Sequence, residues 1–260
     1  MPSRNPAFPF EVVAPSADNE GVTLGVPQPL TSGRQRRTPP LETGDHLTRD
    51  EFERRYEAMP HLKKAELIEG VVYMAPAVRW DYHAEPHAKL ITWLGTYQSA
   101  TPGVRVGDNG SVRMDSENEP QPDAILLIEP AAGGQSRVSP DNCLEGAPEL
   151  VAEVSGSTAS IDLNEKFRVY LRNGVRDYLV WRVHDDEIDW FVLQGSQYIR
   201  LDAGPDGILR SMTFPGLWLD GPAMLRRDLS AVLHVLQQGL ASPEHTQFAA
   251  TLAGRGQAKL

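Results

Sequence analysis

QPDAILLI (residues 121–128) and PELVAEV (148–154) decide the fold. The run 124–128 is apolar throughout, too short for a buried helix, and reads as a central strand covered on both faces. PELVAEV reads as a second strand. Each carries an acid where an acid is costly: Asp123 at the mouth of the first, Glu153 inside the second. A carboxylate withdrawn from water must be paired or bind metal. Taken singly, Asp123 could be a turn residue and Glu153 a strand end near solvent. Taken together on neighbouring strands, they form an oxygen-ligand site suited to a hard cation such as Mg²⁺.

Downstream, Leu163, Phe167, Tyr170 and Leu171 recur at helical spacing from residue 158 or 160 to 172, and Gly174 closes the helix. Lys166 lies ~60° from Leu163 and ~40° from Tyr170 around that helix, at the border of its apolar stripe. It either snorkels outward or points along the sheet toward Glu153. DYLVWRV (177–183), EIDWFVL (187–193), SQYIRL (196–201) and GILRSMTF (207–214) then predict a four-strand antiparallel meander. A helix follows over 222–238, and 239–260 reads as one more short helix and a tail.

Upstream, Thr48 with Glu51 predicts a capping box opening a short helix. AELIEGVVYMAP predicts a hairpin turning at Glu69-Gly70. Leu90, Ile91, Trp93 and Leu94 mark a helix over about 81–97, and Val104, Val106, Val112 and Met114 mark one or two extended pieces. This order predicts one mixed-sheet α/β domain over 46–238, with helices flanking a central sheet and an antiparallel meander at its C-terminal side.

Composition sets outer bounds. With 40% apolar residues, 7 Phe, 7 Tyr and 5 Trp among 260, the chain can bury a real core. Residues 1–45 differ: eight of the 21 prolines fall there, with Arg34, Arg36 and Arg37 and no sustained apolar period. They read as a disordered tail, its basic cluster either solvated or touching phosphate. The single cysteine, Cys143, excludes an internal disulfide framework and a multi-cysteine zinc site. A net charge of -10 argues against coating nucleic acid by bulk attraction. No apolar run approaches the ~20 residues of a membrane helix. The start has no secretory pattern, so the expected address is the cytoplasm.

Other polar residues carry weaker signals of chemistry. His83 and His87, four apart on a helix, have metal-pair spacing but no third ligand nearby, and His87 is expected to line a cleft or cap a packing contact. Ser155 and Ser157 suit a strand-to-helix turn, since no His–Asp set stands out to activate a nucleophile. Trp80, Trp181 and Trp190 read as core or dimer-surface aromatics, and the meander's edge could pair two copies.

AELIEG, the His-bearing helix after VVYMAP, EPQPDAILLI, GAPELVAEVSGST and the acid-Lys helix ending YLRNGVRDYLVW together resemble the Uma-two family of putative restriction endonucleases, within the PD-(D/E)XK nuclease superfamily. The resemblance spans about 46–238. It implies a restriction-endonuclease-like core, DNA phosphodiester hydrolysis, a bacterial host, and Mg²⁺ (or Mn²⁺) with no small-molecule cofactor. It implies Asp123 and Glu153 as metal ligands, with the Val154 carbonyl as a further one. Glu66 and Glu69 match acidic positions of the family's hairpin, Glu66 on its strand being the better site candidate. The sequence departs from the superfamily motif at Ser155, where a lysine is expected; Lys166 then stands in from the following helix to orient water or steady phosphoryl charge. The alternative reading is a catalytically inactive nuclease-fold module that binds nucleic acid or protein.

Overall fold

All five positions of Ala124–Ile128 and all six of Leu150–Ser155 are buried, so both runs occupy the middle of a sheet. A computed structural model describes residues 38–257, residue 76 excepted. The expected N-terminal tail up to residue 37, with Arg34, Arg36 and Arg37, lies outside the described residues.

In chain order, helix α1 (Arg49–Glu57) leads to the hairpin β1 (Ala65–Ile68) and β2 (Val71–Met74). A π-helical turn (Trp80–Ala84) runs into α2 (Glu85–Ser99), then β3 (Val104–Asp108), β4 (Val112–Arg113) and β5 (Ala124–Ile128). Short strands β6 (Arg137–Val138) and β7 (Leu144–Glu145) precede β8 (Leu150–Ser155). One helical unit follows in three windings: α3 (Ala159–Ile161), a second π turn (Asp162–Lys166) and α4 (Phe167–Asn173). Strands β9 (Asp177–Arg182), β10 (Glu187–Gln194), β11 (Gln197–Arg200), β12 (Ile208–Arg210) and β13 (Trp218–Asp220) lead to α5 (Gly221–Leu225), α6 (Leu229–Leu240) and α7 (Pro243–Gln257).

Six strands form the central sheet in the order β11-β10-β9-β8-β5-β3. Only β8 and β9 run parallel, joined by the helical unit as a crossover; the other pairs are antiparallel. The sheet is therefore mixed. Strand alternation sorts its two faces. Ala124, Leu126, Ala152 and Val154 join Leu90, Trp93 and Leu94 of α2 and Val232 and Leu236 of α6 in the larger core. Val151, Tyr178 and Val180 pack on Tyr170, Leu163 and Phe167 on the opposite face. Phe248 and Leu252 of α7 also join the larger core. The hairpin stands apart as a two-stranded sheet, its Ala65, Leu67 and Val72 packing on Phe52 of α1 and on Leu41.

The hairpin turns where the sequence expects it. Glu69 and Gly70 both have positive φ, 52° and 75°, the conformation a two-residue turn of this hand needs. Three expectations are corrected. The meander has three strands, because β12 leaves it to pair with β13 in a separate ladder. The helix expected over 222–238 is two: Arg227 turns left-handed at φ 63°, and the Asp228 carboxylate accepts from the Ala231 N–H to start α6 afresh. Finally, Thr48 makes no side-chain cap, and Glu51 is taken by Arg54 and Arg55 at 2.7 and 2.6 Å rather than reaching back to close a capping box.

Among the described residues no helix is long and apolar enough to cross a membrane.

Candidate active site

Strands β5 and β8 are paired antiparallel with Ala124 opposite Ala152. Continuing that register by one residue sets Asp123 opposite Glu153. The geometry agrees: the Val154 N–H donates to Asp123 Oδ2 at 2.9 Å, and the Asp123 N–H approaches Glu153 Oε2 at 3.4 Å. By alternation Glu153 projects to the side of Val151, where the helical unit covers the sheet. There its Oε1 accepts from Lys166 Nζ at 3.0 Å and from the Tyr170 hydroxyl at 2.8 Å.

Lys166 is 4% exposed, so the structure turns it inward rather than letting it snorkel. Its ammonium also meets Glu66 Oε1 at 2.8 Å and Asp162 Oδ1 at 3.7 Å. Glu66 thus arrives from β1, and its Oε1 accepts from the Gln121 N–H at 2.8 Å, tying the hairpin to the segment ahead of Asp123. Ser155 lies one contact further out. Its hydroxyl donates to Asp162 Oδ2 at 2.5 Å, as does that of Thr158 at 2.7 Å, fixing the acid beside Lys166. His87 holds backbone: its Nε2 donates to the Asp123 carbonyl at 2.8 Å and stands 3.2 Å from Asp108. Glu69 is not drawn in. Arg168 and Arg172 hold it on the surface at 2.8 and 3.0 Å.

Two further groups join this knot: Lys64, which escaped the sequence reading, and His83, which was read only as half of a histidine pair. Lys64 Nζ reaches Asp123 Oδ1 at 2.9 Å. His83 donates from Nδ1 to the Val154 carbonyl at 3.2 Å, with Nε2 3.5 Å from Asp123 Oδ1. Asp162 was also missed, although its i,i+4 spacing to Lys166 is a readable ion-pair signal. Lys64 carries no such signal, since it follows Lys63 in a polar stretch with no apolar frame. These groups line a cavity of about 410 Å³, with Met74, Val78, Tyr82 and Ile161 on its apolar side. A second cavity, of about 450 Å³ beside Arg176 and Arg255, shares no residue with it.

Charge in the knot is unbalanced. Glu66, Asp123, Glu153 and Asp162 face two ammonium groups, Lys64 and Lys166, a formal excess of two negative charges. Burial pushes the Glu153 carboxyl well above its usual range; Lys166 opposes this, while Asp123, Asp162 and Glu66 add to it. Burial also works against ionisation of Asp123, but Lys64, His83 and the Val154 N–H outweigh it and hold that carboxyl below its usual value. Lys166 is held charged, its pKa raised by Glu153 and Glu66 against the cost of burial.

Carboxylate oxygens and a backbone carbonyl are hard donors, and a divalent cation beside them would favour the ionised form of Glu153 that burial opposes. The residues therefore fit such an ion. Among the described residues, no three His, Cys, Asp or Glu side chains stand ready-made as a coordinating set, and lysines bond both the Asp123 and Glu153 carboxylates.

Comparison with known proteins agrees with this architecture. The model of the Uma2 family, described as "Putative restriction endonuclease", matches residues 49–222. Among solved structures, the chain is similar to a putative nuclease belonging to DUF820 from Anabaena variabilis ATCC 29413. The TM-score is 0.51 at 14% identity, covering 73% of this chain and 99% of that one, a likeness of fold. A search of curated proteins finds no match.

Proposed function

Because the chain belongs to the Uma2 family of putative restriction endonucleases, we propose that Asp123, Glu153 and Lys166 form a divalent-metal-dependent site that hydrolyses DNA phosphodiester bonds. The observation that carries this reading is the knot itself: two carboxylates opposed across β5 and β8, over-supplied with negative charge, at the wall of a cavity. Asp123 and Glu153, with the Val154 carbonyl, would hold Mg²⁺ or Mn²⁺, which supplies Lewis-acid charge and lowers the pKa of bound water.

The chain's own residues do the rest. Tyr170 fixes the rotamer of Glu153, and Val154 N–H fixes that of Asp123, so both oxygens face the cavity already placed. Lys166 offsets the mutual repulsion of Glu153, Glu66 and Asp162 without competing as a ligand. Lys64, the more exposed ammonium, stands where it can meet a phosphoryl oxygen as negative charge grows there.

Asp123→Asn and Glu153→Gln keep size and shape while removing charge. Each is expected to lower Mn²⁺-dependent plasmid cleavage by about 100-fold or more and to abolish Mn²⁺ binding in calorimetry, with circular dichroism unchanged. Parent-like cutting by both variants would sink the site assignment.

A second reading has its own observation. Each carboxylate is already neutralised by a lysine at 2.9 to 3.0 Å, as in a retired active site kept as a binding module. Absence of Mg²⁺ and Mn²⁺ binding at millimolar concentrations would favour that module.

A further inference from the structure

Val78 and Tyr82 line the cavity, and with Trp80 between them in sequence they form an apolar rim that a phosphate site has no need of. Val78 is 64% exposed, Trp80 74% and Tyr82 48%, half of the large exposed hydrophobics among the described residues, packed into five positions. Isolated exposed apolar residues are ordinary; a cluster beside a polar site is a contact surface. Tyr82 packs at a tilt against His184, with ring centroids 4.3 Å apart and planes 35° from parallel, and both line the cavity.

The rim is built to a fixed position relative to the carboxylates. Its two aromatic residues belong to the π turn Trp80–Ala84, whose His83 bonds the Val154 carbonyl. Arg227 donates to the Asp81 carbonyl at 2.8 Å from the other side. Gly156, just past β8, lets the turn close: a Cβ there would sit 2.8 Å from the Tyr82 carbonyl oxygen.

Charge decides what such a rim can hold. The chain carries a net charge of -10, and Lys166 is committed to carboxylates, leaving Lys64, itself paired with Asp123, and exposed Arg79 as the lining lysine and arginine that can meet phosphate. Duplex DNA is held chiefly by phosphate neutralisation, which this surface supplies poorly. A single strand offers a contact that paired bases do not, the stacking of its exposed base faces on aromatic rings, which is tolerant of sequence. At about 410 Å³ the cavity suits one small ligand such as a nucleotide rather than two paired strands.

We propose that this chain engages DNA as an unpaired strand. One base enters the cavity against the tilted Tyr82–His184 pair, and the next stacks on exposed Trp80 beside it. The substrate class is then single-stranded DNA or the frayed and looped parts of a duplex. This inference rests on the nuclease reading above for the identity of its ligand.

The test measures binding apart from cutting. Fluorescence anisotropy with a labelled short single strand and its blunt duplex is run in EDTA and again with Ca²⁺; cleavage of both is assayed separately in Mn²⁺. The single strand is expected to bind about tenfold more tightly than the duplex. Trp80→Ala should weaken single-strand binding by about tenfold, while Trp80→Phe retains most of it. Trp80 is exposed, so neither change threatens the fold. Equal affinity for duplex and single strand, or a Trp80→Ala protein that binds like the parent, overturns the proposal; if Mn²⁺-dependent duplex cutting persists in that case, the nuclease reading stands alone. Sedimentation showing a dimer that Trp80→Ala dissolves would also overturn it, by assigning the rim to a second copy. Tight single-strand binding without Mn²⁺-dependent cleavage supports the stacking rim while removing the nuclease reading.

Discussion

Strand β8 has a buried acid at each end, and the two are used differently. Glu153, near its C-terminal end, faces Lys166, Tyr170 and a cavity. Glu149, four residues earlier and fully buried, accepts the Ile128 N–H at 2.8 Å and the Gln135 N–H at 2.9 Å, pinning the chain that leaves β5. Beside it Asp177, at the start of the parallel strand β9, accepts from the Ser211 and Thr213 hydroxyls at 2.6 and 2.9 Å. One end neutralises its acids with mobile-proton donors and ammonium groups at a cavity. The other satisfies them with neutral, fixed donors; Ile128 and Thr213 among these donor residues line the second cavity, but neither Glu149 nor Asp177 does. Burial of a carboxylate therefore does not mark chemistry; the kind of partner and the open space beside it do.

That contrast can be broken by experiment. The largest effect is expected from Lys166→Met. It leaves Glu153, Glu66 and Asp162 without their shared cation and should cost roughly 3–5 kcal/mol in urea unfolding; added Mn²⁺ should restore part of the loss. No restoration would detach the knot from any cation. At the opposite end Asp177→Asn should flatten the pH dependence of stability. Burial pushes the Asp177 carboxyl up to about 6, with the Ser211 and Thr213 hydrogen bonds pulling the other way. The folded protein thus holds this proton more tightly than the unfolded chain, whose carboxyl has a pKa near 3.8. Its contribution is most favourable below pH ~4 and declines as pH rises to ~6, a swing of roughly 3 kcal/mol that the variant should lack.

Glu149→Ala, which orphans two buried N–H groups, should cost about 2 kcal/mol with no response to Mn²⁺. A metal-sensitive stability there would erase the distinction between the two ends. Tyr170→Phe should cost about 1 kcal/mol and slow cleavage while leaving the fold intact, read from melting and from plasmid assays. Thr48→Ala should change stability by less than ~0.5 kcal/mol, because its hydroxyl caps nothing.

The difference between the two ends was only partly legible. Asp123 and Glu153 stand out because each interrupts an apolar run, and strand pairing follows from their neighbourhood. Glu149 interrupts the same run and passed without notice, because neutral donors arrive from loops that periodicity does not place. Lys64 reaches Asp123 across 59 residues, through packing of the hairpin against the sheet, so no local pattern announces it. The mixed α/β architecture was readable from element order. The separate β12–β13 ladder was not: β12 alternates like its predecessors, and its partner is chosen by the turn through Gly216 at φ 86°.

The wide turn at Asp162–Lys166 has a consequence for how such chains diverge. A π turn accommodates one residue more than an α turn, so it works as a phase shifter between α3 and α4. Leu163 and Phe167 keep the oily face in step with the sheet, while Asp162 and Lys166 are aimed at the acids. Deleting one residue there would restore ordinary winding, leave the oily face of α4 continuous, and swing the lysine by about 100° away from Glu153. The ammonium's address is thus written in helical phase rather than in distance along the chain from the acid. That frees the position after Val154 to be Ser155, and lets the lysine be lost or regained by a single insertion or deletion without rebuilding the core.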